Sequence, residues 1–161
     1  MKKAIILASV LTAAAATPAL SQQRVEVGVL DCVIEGGAGV VIASSQELAC
    51  TFEPADDSRP PETYVGVVNK FGLDVGVKDA TQMQWLVMAP TADAYAPGAL
   101  EGDYAGVSAE VAAGLGAGAN ILVTQDSQSL MLQPVSLEGK TGINVALGVS
   151  EFQLRSTSAA E

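Results

Sequence analysis

The sequence contains no histidine. Histidine is the commonest general base and zinc ligand and takes part in every Ser-His arrangement, so its absence removes these classes of chemistry together. Basic residues are also scarce, with 8 lysines and arginines against 18 acidic residues and a formal net charge of −10. Nucleic acid and anionic membrane surfaces are poor partners for such a chain. We expect no catalytic centre, no metal and no cofactor.

Hydrophobic runs long enough to span a bilayer are also missing. Lys2 and Lys3 precede an apolar run over residues 4–16, which is shorter than the about 20 residues that a membrane helix needs. Ala19-Leu20-Ser21 has the small, large, small pattern read by signal peptidase. The sequence therefore predicts a signal peptide over residues 1–21, no transmembrane anchor, and a single periplasmic or secreted domain over residues 22–161. A buried N-terminal helix is the alternative.

Cysteine is nearly absent, and the two cysteines are Cys32 and Cys50. In an exported chain an even number of cysteines favours a disulfide. Closing a loop of this length stabilises a small domain by about 3 kcal/mol in the chain-entropy model. Two free thiols or a metal-binding pair are the alternatives.

Alternation of apolar and polar residues, interrupted by turn residues, runs through the rest of the chain. It predicts strands over residues 24–35, 39–43, 48–52, 63–77, 83–89, 102–118, 120–124, 130–137 and 143–154. Residues 63–77 are either one long strand or a bent pair of strands. A change of apolar parity predicts a bulge near residues 28–30. Short helical turns are expected at residues 44–47 and within residues 91–100. The fold class is therefore all-β, as a small antiparallel barrel or a curled sandwich.

The segment over residues 102–118 alternates small apolar residues with glycine. A helix would cost about 1 kcal/mol for each glycine relative to alanine, so we predict one long strand. Its small side chains leave space above the sheet, and interiors are densely packed. We expect Trp85, Tyr104, Gly114 and Gly116 to line a groove or the core. The space would be filled by large side chains, a small apolar ligand or a partner chain.

Carboxylates are scattered, except for a polar loop that carries Asp56, Asp57 and Glu62. These side chains could hold a hard cation, but the loop lacks an alternating pattern of oxygen ligands. Solvated surface charges are the expected interpretation. The glycines over residues 114–118 lack the spacing and the lysine of a phosphate loop, so nucleotide binding is not predicted.

Several local phrases occur together along the chain. They are Gly28-Val29-Leu30, Leu48-x-Cys50-x-Phe52, Phe71-Gly72-Leu73-Asp74, Pro97-Gly98-Ala99-Leu100, Gly118-Ala119-Asn120 and Leu132-Gln133-Pro134. In combination they resemble a family of small secreted alphaproteobacterial proteins, the domain of unknown function 992, over nearly all of the mature chain. That resemblance supports the expected location and fold, and it leaves the function open because the family has no assigned activity. A more distant likeness to the SYLF domain, a lipid-binding module, implies only a β-rich architecture.

The sequence therefore indicates a non-enzymatic envelope protein that binds a small apolar ligand or a protein partner. A structural or assembly component without a small ligand is the alternative. A carboxylate-based hydrolase is the third hypothesis.

We predict that the mature protein begins at Gln22 and has no free thiol, because a signal peptide is removed on export and an oxidising compartment pairs cysteines. Intact mass and thiol titration check both points. A mature chain that retains residues 1–21, or two titratable thiols after export, would contradict the compartment together with the disulfide.

Overall fold

The computed structural model describes residues 23–34, 45–70, 81–114, 120–125, 130–135 and 149–157. The strands are β1 (Val25–Ile34), β2 (Ser45–Pro54), β3 (Glu62–Lys70), β4 (Thr81–Ala89), β5 (Gly102–Gly106), β6 (Leu122–Thr124), β7 (Met131–Pro134) and β8 (Val149–Ser156). A 3-10 turn spans Ala92–Ala94, and helix α1 spans Ala109–Gly114.

The strands close into a barrel in the order β1, β2, β3, β8, β5, β6, β7 and β4, with β4 pairing back to β1. All eight neighbouring pairs of strands in the described residues are antiparallel. The all-β prediction is therefore confirmed, and the barrel is the correct form of it. Closure leaves each of these strands with a hydrogen-bonded neighbour on both sides.

Alternation decides which side chains enter the barrel. In β2, Leu48, Cys50 and Phe52 are buried, while Ala49 and Thr51 between them are exposed. The same alternation holds in β4, where Met83 to Ala89 are buried at every second position. Because side chains on a strand point to opposite faces in turn, one face of each strand supplies the core and the other the surface.

The predicted bulge in β1 is present. Glu26 pairs with Met88 and Gly28 pairs with the adjacent Val87, so Val27 is the extra residue. Val27 is buried, and the buried parity then changes to that of Leu30. The bulge lies one residue before the predicted position. Because it adds one residue to the strand, Leu30, Cys32 and Ile34 face the inside of the barrel.

The disulfide joins two strands that are neighbours in the barrel. Cys32 of β1 and Cys50 of β2 are directly paired residues, their Cα atoms are 4.0 Å apart, and the sulfur atoms are bonded. Both residues are buried on the inner face. The predicted pairing therefore lies on the core side of the sheet.

The prediction of one long strand over residues 102–118 is wrong. β5 ends at Gly106, and α1 follows. Ser108 begins the helix, since its backbone oxygen accepts the Ala112 N–H at 2.9 Å and its Oγ accepts the Val111 N–H at 3.5 Å. A serine at the N-cap and a run rich in alanine favour a helix. The small side chains alternate as in a strand, but they are equally compatible with a helix.

The helical turn predicted at residues 44–47 is also wrong in the part that can be compared, because β2 begins at Ser45. The helical turn predicted before β5 is present at Ala92–Ala94. The strand predicted over residues 39–43, the second half of the one over residues 63–77, and residues 143–148 of the last strand lie outside the described residues.

A satellite cluster packs on the outside of the barrel. It consists of Met88, Val107, Ala112, Ile121, Val123 and Met131. Ala112 belongs to α1, and the outward-facing members come from β4, β6 and β7. Helix α1 thus packs through Ala112 against the outer surface of the barrel, where Met88 is the member from β4.

Two glycines should respond in opposite ways to replacement by alanine. A Cβ on Gly66 would lie 2.1 Å from the backbone oxygen of Gln153, so β3 and β8 approach too closely for a side chain there. A Cβ on Gly114, at the end of α1, would meet nothing within 4 Å. We expect Gly66→Ala to lower the free energy of unfolding by about 1 to 3 kcal/mol. We expect Gly114→Ala to raise it by about 0.4 to 1 kcal/mol.

Urea denaturation of the two variants beside the wild type measures both effects. Equal changes in the two variants would contradict the close approach of β3 to β8.

Candidate functional site

The connection between β4 and β5 crosses one end of the barrel. These strands are separated in the barrel by β7 and β6. Residues 90–101, the cap segment, connect them across the barrel opening, since Tyr95 contacts Phe52 of β2 and Glu62 of β3. Tyr95 and Leu100 of the cap segment are buried. The centroid of the Tyr95 ring lies 4.9 Å from that of the Phe52 ring. The cap segment therefore extends the barrel core at this end.

Glu62, the first residue of β3, ties the cap segment to the barrel. Its Oε2 accepts hydrogen bonds from the Tyr64 hydroxyl at 2.5 Å, the Tyr95 hydroxyl at 3.0 Å and the Gly98 N–H at 2.8 Å. Gly98 has a φ of 79°, a left-handed conformation that glycine adopts without strain. One carboxylate oxygen thus satisfies three donors, and hydrogen bonds to a charged acceptor are the stronger kind.

Arg59 reinforces the same end from outside. Its guanidinium donates to the Tyr95 backbone oxygen at 3.1 Å and lies 6.0 Å from the centre of the Tyr95 ring. It also pairs with Asp56 at 3.6 Å. The hydroxyl and backbone N–H of Ser58 donate to Asp56 and hold the pKa of that carboxyl below its usual range.

Burial raises the pKa of all three tyrosines of the chain well above the ordinary value. For Tyr64 the hydrogen bond to Glu62 adds to the effect of burial, and for Tyr95 the nearby Tyr64 and Glu62 do so. For Tyr104 burial dominates. The phenols are therefore neutral hydrogen-bond donors at neutral pH, and the arrangement of Glu62 and the tyrosines fastens the cap segment.

The alternative cation site in the acidic loop is not assembled. Asp56 is engaged by Ser58 and Arg59, and Glu62 by the tyrosines and Gly98. Within the described ranges, no three acidic or cysteine side chains form a group that could hold a metal ion. Glu62 was predicted to be a solvated loop charge, and this interpretation is wrong because packing places two phenols against its carboxylate.

Large aromatic side chains lie in the barrel interior. The largest fully buried residues are Trp85, Tyr64, Tyr104, Phe52 and Phe152. Phe152 lies between Trp85 and Tyr104, with ring centroids 5.8 Å and 6.3 Å away. The Tyr104 hydroxyl donates to the Leu100 backbone oxygen at 3.0 Å. Trp85 and Tyr104 thus lie in the core, and the Trp85 Nε1 has no hydrogen-bond partner in the described part of the chain.

Gly114 does not join them. It lies exposed at the end of α1, rather than in a strand that lines the core. Gly116 lies outside the described residues. The expected lining by Trp85, Tyr104, Gly114 and Gly116 is therefore split, with the two aromatic residues inside the barrel and Gly114 on the surface.

The outer surface of β1, β2 and β3 carries a set of uncharged side chains that we call the neutral face. It consists of Val33, Ala49, Thr51, Thr63, Val65 and Val67. Val33 pairs with Ala49, and Ala49 pairs with Val65, so these three residues form one row across three strands. Val65 is 49% exposed. The neutral face thus includes an exposed apolar side chain.

These features define a class: a small closed antiparallel β-barrel with an aromatic core, a cross-strand disulfide and a cap segment tied by one carboxylate. The chain belongs to the family described as Protein of unknown function (DUF992), whose model matches residues 9–155. The resemblance to the domain of unknown function 992 is thereby confirmed. No curated protein and no solved structure matches the chain.

No helix in the part of the chain that the structure describes is long and apolar enough to cross a membrane.

We predict that none of the three tyrosines ionises in the folded protein near pH 10, the ordinary tyrosine pKa. Their pKa values are raised, so the unfolded chain loses phenolic protons first, and stability falls as the pH rises above about 10. Alkaline titration followed by tyrosinate absorbance, with circular dichroism as the measure of folding, checks this. Tyrosinate that forms while the barrel is still folded would contradict the buried placement.

Glu62→Gln tests the contribution of the carboxylate to this end of the barrel. The substitution removes the charge that opposes ionisation of Tyr64 and Tyr95, whereas the pKa of Tyr104 is raised mainly by burial. We expect a smaller free energy of unfolding, by about 1 to 3 kcal/mol, since a buried hydrogen-bond network is weakened.

Proposed function

We propose that this protein is a non-enzymatic binding module of the cell envelope that recognises a protein partner through the outer surface of its barrel. The observation that carries the proposal is the set of large aromatic side chains buried in the interior. An eight-stranded barrel either is filled by side chains or holds one small ligand. Here the five largest buried side chains occupy the inside, so the surface is left as the place of recognition.

An envelope location is supported by two features. The N-terminal residues have the pattern of a signal peptide. Cys32 and Cys50 are bonded on the inner face, and disulfides persist in oxidising compartments.

A non-enzymatic role is supported by the chemistry of Glu62. A carboxylate-based hydrolase uses two carboxyl groups that flank the substrate. Glu62 is engaged by the cap segment and by Tyr64, and the phenols beside it are held neutral. These groups are used in holding the barrel end together.

A small apolar ligand is the second candidate, and one observation favours it. The Trp85 N–H is buried without an acceptor in the described residues. A buried donor without a partner costs about 1 to 3 kcal/mol, and a ligand with one acceptor atom would satisfy it.

Native mass spectrometry of the protein purified from its own envelope tests the proposal. We expect the mature chain alone or with a protein partner, and no stoichiometric small molecule. Fluorescence gives a second readout, because Trp85 is the one tryptophan of the chain. A small-molecule adduct whose removal shifts the Trp85 emission would overturn the proposal in favour of the second candidate.

A further inference from the structure

We infer that the neutral face is the docking surface, and that its partner is a protein with a positively charged surface. This inference rests on the proposed function and adds to it the position of the site and the chemistry of the partner. The argument uses exposure, pairing and charge in the strands β1, β2 and β3.

Outward side chains are covered on one part of the barrel and exposed on another. On β4, β6 and β7 the outward side chains of Met88, Val123 and Met131 pack in the satellite cluster with Ala112 of α1. On β2 and β3 the outward residues Ala49, Thr51, Thr63 and Val65 are exposed. No described segment packs over them. Within the described residues, β2 and β3 therefore offer an exposed and uncharged sheet surface, whereas the exposed outward residues of β8 include the charged Glu151 and Arg155.

The shape of this surface suits a partner that lies flat on it. Three strands about 4.8 Å apart and seven residues with a rise of about 3.3 Å cover an area of roughly 15 Å by 20 Å. A surface of this size belongs to the weak and transient class of interfaces. Since every neighbouring strand is already paired in the closed barrel, the contact is made by side chains rather than by an added strand.

The charge around the neutral face selects the partner. Glu47 and Glu53 lie on the outer side of β2 and are exposed, and Asp31 lies on the outer side of β1. Asp31 accepts a hydrogen bond from the Gln84 amide. Neither Glu47 nor Glu53 takes part in the two ion pairs of the described residues. Their carboxylates are thus available to cations.

The basic side chain next to this surface is already engaged. Arg155 of β8 pairs across the strands with Val65, and its guanidinium contacts Asp103 at 3.3 Å. A second copy of this chain would bring a further excess of acidic over basic residues against the same carboxylates. Like charges in contact oppose association, so a basic partner fits this face and a second copy does not.

Photo-crosslinking in the native cells locates the contact. A photo-crosslinking residue replaces Val65 in one full-length chain, and Val111 of α1 in the control chain. The two positions are matched, because they are 49% and 44% exposed. We expect an adduct from position 65 and none from position 111. The partner in the adduct is identified by mass spectrometry and purified.

Binding of the purified partner then tests the chemistry. Ala49→Arg places a bulky cation in the centre of the neutral face, and we expect it to raise the Kd at least tenfold. Ala113→Arg, at an exposed position of α1, is the matched control and should leave the Kd unchanged. Glu47→Gln with Glu53→Gln should weaken binding and reduce its dependence on salt, since exposed charges are screened by ions. Asp57→Asn with Asp93→Asn removes the same charge from outside the face and should have no effect.

Each other outcome is decisive. An adduct with a second copy of the chain overturns the basic partner and leaves recognition through the outer surface standing. A partner that crosslinks only from position 111, or that responds equally to Ala49→Arg and Ala113→Arg, overturns the assignment to the neutral face. Absence of an adduct from position 65 overturns the assignment to the neutral face. If the purified protein also carries a stoichiometric small molecule, the proposed function is overturned as well.

Discussion

Aromatic packing inside the barrel is the constraint on which the rest of the structure depends. Seven phenylalanine, tyrosine and tryptophan residues are present in the chain, and five of them are the largest fully buried side chains. Closure of the barrel needs this volume, because interiors are packed as densely as organic crystals. The cap segment follows from the same constraint, since Tyr95 completes the core at the open end and Glu62 holds it there.

Alternation predicted most of the barrel because its inward residues are large and its outward residues polar. In β2, the apolar Leu48 and Phe52 contrast clearly with Glu47 and Glu53. The pattern is therefore compatible with only one assignment of inward and outward side chains. In residues 102–118 the side chains are nearly all small, so either parity is acceptable and a helix is equally compatible. Ser108 was the signal that distinguished the two, as a residue that often caps helices, and it was outweighed by the glycines. The role of Glu62 was not predictable, since its partner Tyr95 is distant in sequence and is brought close only by barrel closure.

The disulfide has a consequence beyond the closing of a loop. Side chains on a strand alternate between the faces, so a slip of β1 by one residue against β2 would turn Val33 inward and Cys32 outward. A covalent bond between directly opposed residues forbids that slip. Oxidation of Cys32 and Cys50 therefore determines which side chains of β1 and β2 face the solvent. A bond in the core thus fixes the composition of this part of the surface.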